Sequence, residues 1–166
     1  MAVKFFDNAT NVVNLYAIME KWKGTPYFHM GDNSHGVDCT KLMGLMLVDL
    51  GILNNIGARS HYGKRWMYIA GQETVLDECE KHFDEFCVPD YYYKLYRYSH
   101  EDPEIVPEFG DIVGFRRPDS GATSHVGWYI DNKHFYHVSI KQSARVSNMN
   151  KFWWDNLTYI FRIFEV

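Results

Sequence analysis

The sequence predicts an α+β domain in which N-terminal helices pack on a central antiparallel sheet. Three observations carry that reading. Apolar residues recur at helical spacing early in the chain, alternate with polar ones at period two near its end, and turn residues separate the alternating runs. A length of 166 residues suits a single domain, 1–166, with a core large enough to need no disulfide staples.

Residues Ala9 to Lys21 read as an amphipathic helix, with Val12, Val13, Tyr16, Ala17 and Met19 as its apolar positions. Trp22 to Val37 is a predicted loop, rich in glycine and turn formers. Asp38 to about Leu50 is strongly helical, and Gly51 supplies its stop. Because Leu45, Met46, Leu47 and Val48 run almost all round it, this helix is expected to be central and buried. Further on, Glu73 to Phe86 carries helical turns, Tyr91 to Tyr98 alternates as a strand, and Glu101 to Pro107 is loop. Four more strands are expected at Asp111 to Arg116, His125 to Asp131, His134 to Ile140 and Tyr159 to Phe164. Asp131-Asn132-Lys133 is a hairpin signal between two of them.

Twelve tyrosines, eleven phenylalanines and five tryptophans are many for this length, and they fit a β-rich core. A formal charge of −4 gives no electrostatic reason to expect nucleic acid as a partner. No Lys/Arg cluster points to a membrane surface, and no stretch is long and apolar enough to span a bilayer. Three cysteines without framework spacing argue against a disulfide scaffold and suit a reducing compartment. The first residues lack the pattern of a secretory signal, so an extracellular target is expected to be reached through other machinery.

The chemistry is concentrated in two runs, Gly36-Val37-Asp38-Cys39-Thr40-Lys41 and Ser124-His125-Val126-Gly127-Trp128. Only a thiolate attacks a carbonyl effectively, and a helix N-terminus with a nearby imidazole promotes its formation. A cysteine that opens an apolar helix, followed much later by a histidine that opens a strand, supplies both parts. Asp38 also suits a helix N-cap.

Five runs fall in order: Trp22-Lys23-Gly24-Thr25-Pro26-Tyr27, Gly36-Val37-Asp38-Cys39, Phe109-Gly110-Asp111-Ile112-Val113-Gly114-Phe115, His125-Val126-Gly127-Trp128-Tyr129-Ile130 and Phe135-Tyr136-His137-Val138. Together they resemble the NlpC-type cell-wall peptidases, papain-like cysteine hydrolases of bacteria and phages. The resemblance implies a papain-like NlpC-type fold with Cys39 as nucleophile, His125 as general base and His137 as the residue that orients His125. It implies that Tyr27 lines the site and serves the oxyanion, and that Asp38 helps hold the substrate's free amine. Thr40 stands where serine is more usual and keeps the hydroxyl. The backbone N–H of Cys39, at a helix start, is a natural oxyanion-hole donor.

The implied reaction is hydrolysis of an amide in peptidoglycan stem peptides, most typically between γ-D-glutamyl and a diamino acid, with no metal or organic cofactor. Delivery by a phage tail or virion, a lysis cassette or an effector secretion system follows from the missing leader. A cytoplasmic role in muropeptide recycling is the other placement. The same thioester chemistry would also serve acyl transfer or deamidation on a protein. A catalytically idle structural part of a phage tail is a third reading, and the intact Cys/His/His set argues against it.

Two features set specific expectations. Roughly residues 67 to 107 form a helical or irregular insertion relative to compact relatives, placed to cover the cleft. A two-residue turn at Asn132-Lys133 would pair Trp128 with His137 and put His137 on the opposite face from His125. A three-residue loop or a bulge is therefore expected. Cys79, His82 and Cys87 do not match a standard zinc spacing and read as packed side chains. His29, His35 and His61 flank the expected cleft, and Trp153 and Trp154 belong to the core or the cleft wall.

Overall fold

A computed structural model describes residues 1–57, 73–101 and 103–166. His61 and residues 67–72 and 102 of the insertion lie outside the described residues.

The chain opens with β1 (Val3–Lys4), a 3-10 turn (Phe5–Asp7) and α1 (Ala9–Trp22). A small hairpin of β2 (Asp32–Asn33) and β3 (Gly36–Val37) leads into α2 (Cys39–Asp49). Then come α3 (Thr74–Phe86), β4 (Tyr91–Arg97), β5 (Ile112–Arg116), β6 (Thr123–Asp131), β7 (His134–Ser139), β8 (Gln142–Asn148), α4 (Lys151–Asn156) and β9 (Leu157–Glu165). Seven strands make one sheet in the order β1-β9-β5-β6-β7-β8, with β4 paired along the other edge of β9. All its pairings are antiparallel. The α+β class and every predicted strand are therefore present.

Helix α2 is the most buried of the helices. From Cys39 to Leu47 only Leu45 is not fully buried, as its all-round apolar pattern requires. Helix α1 lays Leu15, Met19 and Trp22 into the same core. Two polar contacts fix these helices. The Trp22 indole N–H donates to Asp49 on α2 at 2.7 Å, and the Tyr136 hydroxyl on β7 donates to the Met19 carbonyl at 2.8 Å.

The sequence reading missed β8. Its residues, Gln142-Ser-Ala-Arg-Val-Ser-Asn, are mostly polar, and Ala144 alone is buried, because β8 is an outer strand with one neighbour. It also missed the short elements β1, β2, β3 and α4, which are too brief to leave a periodic signal.

The described part of the insertion corrects one expectation. Helix α3 packs its Val75, Leu76, Cys79 and Phe83 into the main core, and β4 zips along β9 from Tyr91↔Glu165 to Arg97↔Tyr159. It enlarges the sheet and the core instead of roofing the cleft. Across the α2–α3 contact, Lys41 reaches Glu78 at 3.8 Å, and both are buried.

The Phe109-Gly110-Asp111 run is structural. Gly110 has φ +83, and a Cβ there would stand 2.1 Å from the Phe6 ring. The turn delivers Asp111 to the interior, where it accepts from Arg162 at 2.9 and 2.7 Å and from the Glu108 backbone N–H at 2.7 Å. Burial pushes the Asp111 carboxyl up, and the Arg162 guanidinium opposes that shift.

Removing the carboxylate would leave a guanidinium that is only 8% exposed with the Val106 carbonyl at 3.0 Å and the more exposed Glu108 carboxylate at 3.4 Å. Asp111→Ala is therefore expected to lower unfolding free energy by about 3 kcal/mol or more, read by urea denaturation. A loss below about 1 kcal/mol would mean that Glu108 or water satisfies Arg162 in its place.

Candidate active site

Cys39 is the first residue of α2, where the free N–H groups concentrate partial positive charge. Asp38 caps the helix: one carboxylate oxygen accepts from the Lys41 N–H and the Thr40 hydroxyl, both at 2.9 Å. Its other oxygen accepts from the Met30 N–H at 3.1 Å. Met30 holds a left-handed φ of 59, so the cap also secures a strained turn. One buried carboxylate thus ties the start of α2 to the preceding loop.

That loop brings Tyr27 to the thiol. The Val37 N–H donates to the Pro26 carbonyl at 3.0 Å, and the Phe28 N–H donates to the Val37 carbonyl at 2.9 Å. Tyr27 therefore runs beside β3, just ahead of Cys39, and both line one cleft of about 790 Å³.

His125 and His137 enter the same cleft from the sheet. Strands β6 and β7 pair Asp131 with His134, then Tyr129 with Phe135 and Trp128 with Tyr136. Ile130 is the extra residue, so a two-residue turn coexists with a bulge, the alternative that puts both histidines on one face. His125 Nε2 lies 2.6 Å from His137 Nδ1. His137 Nε2 lies 2.8 Å from the Ser147 hydroxyl on β8.

Gly127 leaves room for this pair. A Cβ there would come within 2.9 Å of the Tyr136 carbonyl oxygen and 3.2 Å of the His137 Cβ. Trp153, positioned by α4 whose N-cap Asn150 accepts its backbone N–H at 3.3 Å, covers the histidines from above. Its ring centroid is 5.3 Å from His125 and 5.6 Å from His137.

The electrostatics favour neutral side chains. Burial pushes the Cys39 thiol far up, Asp38 adds to the shift, and backbone N–H groups, that of Val126 first, offset part of it. Burial, then His137, holds His125 well below the ordinary imidazole range. Burial, then the Arg145 charge, pulls His137 down to about 4. Both shifts favour the uncharged forms of Cys39 and His125.

The structure gathers Tyr27, Cys39, His125 and His137 in the cleft and sends Asp38 and Thr40 elsewhere. Asp38 is 0% exposed and Thr40 2%, and they bond to each other. Neither is among the residues that line the cleft, and both hold the helix start. Ser147 was missed because nothing near it in sequence marks it as a histidine's partner. Trp153 forms the cleft wall. No described insertion residue from 73 to 107 lines it. Among the described residues, no three His, Cys, Asp or Glu side chains converge as a metal site. Cys79 and His82 are buried on α3, and the Cys87 thiol donates to the Tyr91 carbonyl. Among the described residues, no helix is long and apolar enough to cross a membrane.

Comparison with known proteins matches residues 24–162 to the NlpC/P60 family. The fold is similar to the NlpC/P60 domain of the peptidoglycan hydrolase SagA, with 17% identity, a TM-score of 0.53, and 89% of this chain and 95% of that one covered. It is also similar to an NLP/P60 family protein from Staphylococcus aureus subsp. aureus Mu50, described as similar to lipoprotein, with 18% identity and a TM-score of 0.60. A Bacillus cereus ATCC 10987 family member gives 15% and 0.51. This chain covers 97% and 89% of itself in the last two matches, and spans 43% and 38% of those longer chains. At these identities the structural matches speak for the fold alone. No curated protein matches the sequence significantly.

Two predictions test the geometry. Gly127→Ala is expected to cost roughly 1–3 kcal/mol of stability by overpacking. It should also abolish the low-field imidazole proton signal of the His125–His137 bond in NMR spectra; a retained signal would show that the pair does not depend on Gly127. The second concerns acid. Burial and then the Lys41 charge hold His82 at about 4, and His137 is likewise at about 4, whereas both titrate near 6.5 when unfolded. The unfolded chain therefore binds protons that the folded chain refuses. Stability is expected to be full above about pH 6.5 and to fall toward pH 4 by about 1.4 kcal/mol per pH unit for each ring. His82→Leu should remove one ring's share of that slope, measured by urea denaturation across the range.

Proposed function

The chain belongs to the NlpC/P60 family, generally peptidoglycan-cleaving cysteine peptidases, and from that premise we propose that it hydrolyses amide bonds of peptidoglycan stem peptides. Cys39 is the nucleophile, His125 the base and His137 the group that orients it. The observation that carries this reading is that all three share one cleft, with His125 and His137 2.6 Å apart.

One proton arrangement makes the chain of contacts productive. The His125 Nε2–H donates to His137 Nδ1, and the His137 Nε2–H donates to the Ser147 hydroxyl. His125 Nδ1 is then left with a lone pair. As the thiol sulfur attacks the scissile carbonyl, Nδ1 takes its proton. The oxyanion forms against the backbone N–H of Cys39 at the helix start, with Tyr27 beside it. Collapse breaks the C–N bond, the His125 imidazolium protonates the leaving amine, and a thioester remains on Cys39. Water, deprotonated by His125, then releases the acid and restores the thiol.

Trp153 keeps water off the histidine pair, which strengthens their hydrogen bond and fixes the ring of the base. The amide between γ-D-glutamyl and a diamino acid is the proposed bond. The wall is the proposed place of action, reached in a phage tail or virion or through a secretion system. Acyl transfer or deamidation on a protein would use the same thioester and would be favoured by a cleft widened by the insertion, which no described residue from 73 to 107 lines.

The test is digestion of purified peptidoglycan and defined muropeptides, read by mass spectrometry, with Cys39→Ala in parallel. New stem-peptide fragments that vanish in the variant are expected. Wild-type protein that yields no fragments while Cys39 alkylates readily would point the thiol at another acyl substrate.

A further inference from the structure

The protein carries 21 acidic and 17 basic side chains, yet the cleft shows the opposite balance. Among its described lining residues are Arg116, Arg117, Lys141 and Arg145, and not one aspartate or glutamate. Arg117 has its charge met by Asp119, in two contacts at 2.7 and 2.8 Å. No carboxylate among the described residues pairs with the other three. Arg116 touches only the Asp155 backbone carbonyl, at 3.4 Å.

Their placement is not scattered. Arg145 sits directly across from His137 in the β7–β8 ladder, so it projects on the face that carries the histidines. Lys141 lies in the turn joining the same two strands, and Arg116 ends β5 beside the start of β6. All three stand on the histidine side of the cleft. A base that protonates the leaving amine must have the leaving fragment over it, so this wall faces the part of the substrate beyond the scissile bond.

Unpaired cations in a concave site raise the local potential and favour an anion there. Arginine in particular offers a planar fork matched to a carboxylate. We propose that Arg145, with Arg116 and Lys141, forms a subsite for a free carboxylate on the leaving fragment. The enzyme then selects stem peptides whose diamino acid is carboxylated over amidated ones. This rests on the hydrolase reading above. The carboxylate has two possible sources of the same chemistry: the side chain of a diaminopimelate-type residue, or the α-carboxyl of a residue that ends the chain.

The experiment uses the full chain and four synthetic γ-D-glutamyl-diaminopimelate peptides: both carboxyls free, either one amidated, or both amidated. The doubly amidated peptide is expected to lose roughly tenfold to a hundredfold in kcat/KM, mainly through KM, as suits one or two charge-assisted hydrogen bonds. The two singly amidated peptides name the source, since the one that loses activity has lost the recognised carboxylate. In Arg145→Gln the preference for the free over the doubly amidated peptide should shrink toward one, and added salt should erode it in the wild type. Arg145 and Lys141 are exposed, and Lys141→Gln in the turn gives a second variant should the first fold poorly.

Equal kcat/KM on all four peptides would overturn the subsite while leaving the hydrolase intact. So would a preference that survives in Arg116→Gln/Arg145→Gln. Cleavage of none of the four would sink both readings together.

Discussion

The 2.6 Å contact between His125 and His137 depends on a register choice made several residues away. A strand has two faces, and moving the pairing by one residue exchanges them. The bulge at Ile130 absorbs the residue that a two-residue turn would otherwise misplace, and it returns His137 to the face of His125. Gly127 keeps that face open between them. Ser147 then meets the far nitrogen of His137, and Trp153 closes over both rings. Each of these features has no use without the shared face.

The Cys39 end of the cleft is fixed by a different device. Asp38 spends its carboxylate on the first turn of α2, on Thr40 and on the strained Met30, so the thiol stands on a helix start that cannot fray. The cost is electrostatic, since a buried carboxylate next to Cys39 adds to the upward shift that burial imposes on the thiol. Burial likewise holds His125 below the ordinary imidazole range.

The segment from α3 to β4 packs away from the cleft. Helix α3 lays one apolar face against α2 and β6, and β4 adds itself to the free edge of β9. An edge strand offers unpaired N–H and C=O groups, so a further strand gains a full ladder there at little structural cost. The cleft opens at the other end of the sheet order, where β6, β7 and β8 lie.

The sequence by itself determined the class of fold, the helices at Ala9–Trp22 and Cys39–Asp49 and the predicted strands, and its short runs pointed, through their resemblance to a family, to Cys39, His125, His137 and Tyr27, which line one cleft. These are written in periodicity and in short runs, which neighbours along the chain are enough to specify. It even required a bulge or a longer loop between β6 and β7, because counting residues is a local operation. Tertiary structure alone decided which of the two occurs. It also decided that Asp38 and Thr40 turn inward, that β8 forms from a mostly polar run, that Ser147 and Trp153 complete the histidine pair, and that cations gather on one wall of the cleft. Such facts depend on which strands lie side by side and on what burial leaves exposed. Those are properties of residues distant in sequence, and no window of the chain contains them.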